Sequence, residues 1–106
     1  MPYGIYTDFD KIKFLNGVFE FAQKDIVSGG SKRNLNYISE KINFHENLAN
    51  FQKIMLADAQ TSGGLLISLP HQKANELITR LEQKKIRASV VGEVFEPQGS
   101  PIQVVQ

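Results

Sequence analysis

Two glycine pairs, each set among hydroxyl, amide and charged side chains, are where the residue types of this chain can do chemistry. The first lies in Ser28-Gly29-Gly30-Ser31-Lys32-Arg33-Asn34. Consecutive glycines let backbone N–H groups converge, a helix start after them adds a positive dipole end, and Lys32 and Arg33 add formal charge. Such a loop holds a phosphate, or it is only a tight turn that caps a helix. Its spacing matches neither the P-loop nor the dinucleotide-binding fingerprint. The second pair lies in Asp58-Ala59-Gln60-Thr61-Ser62-Gly63-Gly64. These glycines lead into a strand-like run, so no helix dipole assists, and what they offer is close backbone approach to another segment or to a ligand. A branched side chain at Gly63 is therefore expected to damage folding first. Asp58, Gln60, Thr61 and Ser62 crowd several donors and acceptors beside the pair.

No catalytic set can be assembled from the rest. His45 and His71 are the two histidines; neither has a second metal ligand at helical or hairpin spacing, and both read as exposed loop residues. Asp8 and Asp10 form a close pair of acids in a turn, with Asp10 placed to cap a helix. Cysteine is absent, which excludes a disulfide framework, a thiolate zinc site and a thiol nucleophile. No catalytic residue and no metal ligand is assigned within the chain.

The elements that would position these loops belong to one domain spanning residues 1–106. At 106 residues there is no room for two independent cores. Hydrophobic residues make up 42% and charged residues 22%, ordinary globular usage that argues against disorder. A net charge of +1, with its cations scattered, gives no reason to expect a nucleic acid or an anionic membrane as partner. The longest apolar runs fall far short of the roughly 18–20 residues that span a bilayer. Met1-Pro2-Tyr3-Gly4 is no export signal, so the cytoplasm is the default location.

Alternation over Ile5–Phe9 predicts a first strand. Phe14, Leu15, Val18, Phe19 and Ala22 share a helical face that Asn16-Gly17 splits, and the phenylalanines between Phe9 and Phe21 are expected in the core. A helix over Lys32–Ile38, a weak strand at Ile42 and Phe44, and a helix over Leu48–Met55 capped by Asn47 come next. Leu65–Leu69 reads as a short buried strand. Pro70 then starts a helix with Ala74, Leu77, Ile78 and Leu81 on one face. Strict alternation follows, with Ile86, Ala88, Val90 and Val94 inward. A turn over Glu96–Pro101 leads to a final strand from Ile102. The expected fold is α+β, a mixed sheet layered against helices with a C-terminal β-α-β-β unit. Its helix-linked strands are expected parallel and its last two an antiparallel hairpin.

Taken together the two loops carry a family resemblance. Asp58-Ala59-Gln60-Thr61-Ser62-Gly63-Gly64-Leu65-Leu66 resembles the Asp-Pro-Gln-Thr-Ser-Gly-Gly-Leu-Leu signature of the selenophosphate synthetases, the selenide, water dikinases. Ser28–Asn34 resembles that family's upstream Pro-Gly-Gly-Thr-x-Arg-Asn segment. Ile86-Arg87-Ala88-Ser89-Val90-Val91-Gly92-Glu93-Val94 resembles its Ala-x-Ile-Gly-Glu-Val strand. Three motifs in order are far more specific than any one, and they cover the chain from about Ile5 onward. Departures are Ala59 for the family's proline, Ser28 and Ser31 for proline and threonine, and Lys84-Lys85 where a helix-ending glycine is usual. The last departure implies a helix end without a left-handed cap.

The resemblance implies the C-terminal part of such an enzyme, within a truncated domain of the aminoimidazole-ribonucleotide synthetase C-terminal type. The family's reactive Cys or selenocysteine loop and its metal-binding aspartates precede the matched region. It implies a parent that makes selenophosphate from selenide and ATP, releasing AMP and phosphate, with ATP and Mg bound by the parent and no cofactor bound by this segment alone. It also implies an isolated chain without activity, partnered with the parent's N-terminal domain. Gly29, Gly30, Ser31, Lys32, Arg33 and Asn34 become the first choice for facing nucleotide or phosphate. Asp58, Gln60, Thr61, Ser62, Gly63 and Gly64 are the second. The competing expectation is a non-catalytic protein-binding module, or a split-enzyme half that docks onto a separate N-terminal domain. Apolar surface left by absent neighbours further predicts a homo-oligomer, formed by sheet-edge pairing of Ile5–Phe9 or Ile102–Val105.

Overall fold

The computed structural model describes residues 4–96 and 102–105. Strand β1 (Gly4–Asp8) runs into a single 3-10 turn, Phe9–Lys11. Helices α1 (Val18–Gln23) and α2 (Gly29–Ile38), the short strand β2 (Ile42–Phe44) and helix α3 (Asn50–Leu56) follow. Helix α4 (His71–Gln83) and strands β3 (Gly92–Phe95) and β4 (Ile102–Val105) complete the order. The strands form one mixed sheet in the order β2-β4-β1-β3. β4 is parallel to both neighbours, with Ile102 opposite Ile5 on one side and Ile42 on the other. β3 runs antiparallel to β1, pairing Thr7 with Gly92 and Gly4 with Phe95. The α+β class with a mixed sheet is as expected.

Helices α1 and α3 cover the sheet through Phe9, Ala22, Leu48, Met55 and Val104, with Phe14, Ile42, Phe44 and Phe51 around them. A second cluster of Leu35, Ile54 and Ala57 joins α2 to α3. Phe14 stacks on Phe9 at 5.5 Å and Phe19 meets Phe51 edge-on at 5.1 Å. Of the four early phenylalanines, Phe9 is buried and Phe14 half-buried, whereas Phe19 and Phe21 stay exposed on the short α1.

Several expectations fail for identifiable reasons. Leu65–Leu69 is no strand: its backbone makes no hydrogen bond to the described residues, and Leu65 and Leu66 are 89% and 78% exposed. An apolar run becomes a strand only where a partner completes the ladder, and among the described residues none does. Ile86–Val90 is not a strand either, because β1 gives way to the turn at Phe9. That stretch is instead strapped to residues 11–14 by Arg87 Nη2 donating to the Phe14 carbonyl (2.6 Å) and Ser89 Oγ to that of Lys11 (2.7 Å). Ile86, Val90 and Val94 consequently remain about half exposed. β3 and β4 do not pair with each other, since β1 lies between them. The turn between them falls mostly on residues 97–101, outside the described ones. β1 and β4 are interior strands, so neither is the free edge proposed for self-pairing.

Caps differ in detail too. Asp8, not Asp10, caps the 3-10 turn, its Oδ1 accepting from the Asp10 N–H at 3.0 Å. α3 starts at Asn50 rather than at a helix capped by Asn47, with Gln52 Oε1 accepting the Ala49 N–H at 2.7 Å. His45 is half-buried and its Nδ1 accepts from the Asn47 N–H. The α4 end does carry a left-handed cap, provided by Lys85 itself at φ 58°. Ile86 N–H bonds the Leu81 carbonyl and Lys85 N–H that of Glu82, the paired bonds of a Schellman end.

Candidate functional site

Ser28 stands just before α2 in an extended conformation (φ −73°, ψ 152°), and its Oγ accepts from the Ser31 N–H at 3.1 Å. That geometry is an N-cap, which makes Gly29 and Gly30 the first turn of a helix that begins earlier than the expected Lys32. The Ser31 side chain points inward with no exposed surface. Its hydroxyl donates to Asp58 Oδ1 at 2.5 Å and accepts from the Ala59 N–H at 3.1 Å. With its one proton committed to a carboxylate, the 2.9 Å contact between the two serine oxygens must be donated by Ser28. Asn34, one helical turn on, donates from Nδ2 to the Ala57 carbonyl at 3.0 Å.

The two glycine segments therefore meet. Gly30 makes the approach possible: a Cβ there would lie 3.2 Å from the Ala59 side chain. Across the junction, Asp58 Oδ2 accepts from Gln60 Nε2 at 3.1 Å, so both carboxylate oxygens are engaged. Thr61, Ser62, Gly63 and Gly64 are exposed, and among the described residues no hydrogen bond ties their side chains into this network. Neither glycine of that pair has a positive φ; Gly64 has open space around it, and Gly63 faces only the end of the flexible Gln60 side chain. The expectation that Gly63 marks a close backbone approach is therefore corrected. Gly92 has that role, since a Cβ on it would collide with the backbone of Tyr6 and Thr7.

Lys32 and Arg33 part company. Lys32 Nζ is held by Asp25 at 3.0 Å in an exposed ion pair, worth little by itself. The Arg33 guanidinium folds back over the helix start, where a Cβ on Gly29 would sit 3.2 Å from its Nη1. Among the described residues it has no carboxylate partner. A cation beside the positive end of a helix is unfavourable on its own and becomes favourable when an anion joins both. Gly29, Gly30 and Arg33 can thus bind an anion from the solvent side, while Ser31 and Asn34 are structural ties beneath. Among the described residues no three His, Asp or Glu gather as a metal cage, and no helix is long and apolar enough to cross a membrane.

The Ser28-to-Ser31 cap was readable from serines three apart. The Ser31–Asp58 bond was not, since 27 residues separate its ends and no local pattern announces such a pairing. The capture of Lys32 by Asp25 was missed for a similar reason: the two lie on different elements, with Asp25 in a left-handed conformation just past α1, and no local pattern announces the pair.

No family model matches the chain. Curated relatives do. It is 43% identical over 85 residues to the selenide, water dikinase of Aliarcobacter butzleri (strain RM4018), a match covering 79% of this chain and 25% of that protein. It is 39% identical over 89 residues to that of Carboxydothermus hydrogenoformans, covering 84% and 26%. With that of Caldanaerobacter subterraneus subsp. tengcongensis, identity is 40% over 104 residues, covering 95% and 30%. The chain spans about a quarter of the length of the relatives it matches, consistent with a C-terminal piece. On this similarity the chain belongs, as a segment, to the selenide, water dikinase family.

Proposed function

We propose that this chain is the C-terminal active-site support of a cytoplasmic enzyme that makes selenophosphate from selenide and ATP, with AMP and phosphate as the other products. The start of α2 faces ATP phosphate there, with the Gly29 and Gly30 backbone and Arg33 supplying the positive contacts. Magnesium and the reacting groups come from the parent outside this segment, and the isolated chain has no activity. The observation that carries this reading is Arg33 lying over the glycine pair without a carboxylate partner among the described residues. It does so beside the junction of the two segments that resemble the family.

The test uses the Aliarcobacter butzleri enzyme with its matching quarter replaced by this chain. Arg33→Ala should lower kcat/KM for ATP roughly ten- to a hundredfold, the worth of a charge-assisted phosphate contact, at an unchanged melting temperature. Parental kinetics in that variant, or a loss that only tracks the melting temperature, would return the α2 start to a simple helix cap.

A docking role is favoured by a separate observation. Leu65, Leu66, Ile67 and Leu69 are exposed in sequence, and the apolar face of α4 contains no buried residue. The parent's N-terminal part is the proposed cover, and copies of the chain associate through the same face when that cover is missing.

A further inference from the structure

The geometry points to Ser31 and Asp58 as a positioning pair that joins the two glycine segments into one composite surface. Its functional half rests on the phosphate reading of the α2 start; its structural half does not. Ser31 is the fully buried side chain of the described residues, and every hydrogen-bonding capacity of its hydroxyl is used. Asp58 passes the connection on: one carboxylate oxygen takes the Ser31 proton and the other orients the Gln60 amide. A side chain added at Gly63 would meet Gln60 Oε1. A line of hydrogen bonds therefore runs from the helix cap at Ser28 through Ser31 and Asp58 to Gln60, at the head of the second glycine segment. The Asn34 bond to Ala57 ties the same seam one helical turn on, and the missing side chain of Gly30 leaves room for Ala59 to approach. Neither segment can shift without breaking a bond to a buried hydroxyl, so Arg33 above the first and the polar loop of the second keep a fixed spacing.

Asp58 is the residue to test, because it is exposed and its removal opens no cavity. In the 106-residue chain, Asp58→Ala should speed hydrogen exchange at the Ala59 amide about tenfold, as expected for a local opening, while core amides of α3 keep their rates. Asp58→Asn, which retains an oxygen for the Ser31 hydroxyl, should restore near-native exchange. Unchanged Ala59 exchange in Asp58→Ala, or no rescue by Asn, overturns the pair. In the transplanted enzyme, Asp58→Ala and Arg33→Ala should each raise KM for ATP about tenfold or more, the cost of losing a contact or its alignment. The double variant should lose no more than the worse single one, the signature of coupled residues. Losses that multiply, or a normal KM in Asp58→Ala beside a raised one in Arg33→Ala, overturn the composite surface. If Arg33→Ala is silent while Asp58→Ala still frees Ala59, the phosphate reading fails and the structural pair stands.

Discussion

Glycines divide sharply by what surrounds them. A Cβ at Gly92 would enter the backbone of Tyr6 and Thr7 on the neighbouring strand, where nothing flexible can yield. Gly92→Ala should therefore destabilise the chain by at least about 2 kcal/mol, read from denaturant midpoints. Gly64, with open space and no positive φ, should accept alanine within about 0.5 kcal/mol or gain slightly from a stiffer unfolded chain. The reverse result would misplace both residues. Residue types alone drew attention to Gly63 and Gly64 because they form a pair among polar side chains. Gly92 stands alone in a strand, and its constraint comes from β1, more than eighty positions away in the chain. Local signals such as the serine cap of α2 survive in the sequence, whereas partners brought in by folding do not.

Both α1 and α4 end in a left-handed residue that is not glycine, Asp25 at φ 61° and Lys85 at φ 58°. Each has the paired bonds of a Schellman end, Ile26 to Phe21 with Asp25 to Ala22, and Ile86 to Leu81 with Lys85 to Glu82. Lys85 has a Cβ where the conformation favours none, so Lys85→Gly should stabilise by about 1 kcal/mol, raising Tm by about 4–8 °C. A lower Tm would show that the end is not left-handed. Asp25→Gly should gain less, because Asp tolerates this region better and its ion pair with Lys32 would go. Helix α4 was legible because its apolar face repeats at helical spacing, and β1 and β4 because strand formers cluster there. Leu65–Leu69 and Ile86–Val90 show the same strand signals without becoming strands, since a strand also needs a partner edge that a one-dimensional pattern cannot name.

At the scale of the molecule, a well-packed half stands beside a poorly covered one. The sheet and helices α1 to α3 share the buried clusters, while Leu65–Leu69 and α4 contribute no buried residue. Apolar surface of this kind drives association, so light scattering at micromolar concentration should find the isolated chain as a dimer or larger. Leu65→Glu with Leu66→Glu should return it toward monomer at an unchanged Tm, and a clean monomer in the unaltered chain would count against the proposal. In the proposed reading the same surface is covered within a parent, and the relatives that the chain matches are about four times its length. The most direct measurement is AMP release from ATP, magnesium and selenide by the Aliarcobacter butzleri enzyme with its matching quarter replaced by this chain. Selenide-dependent AMP is expected within about tenfold of the unaltered enzyme, a loss of roughly 1.4 kcal/mol at most, and none is expected from the 106-residue chain alone. A transplanted enzyme that folds with the parent's melting temperature yet releases no AMP would contradict the proposal, as would AMP release by the chain alone.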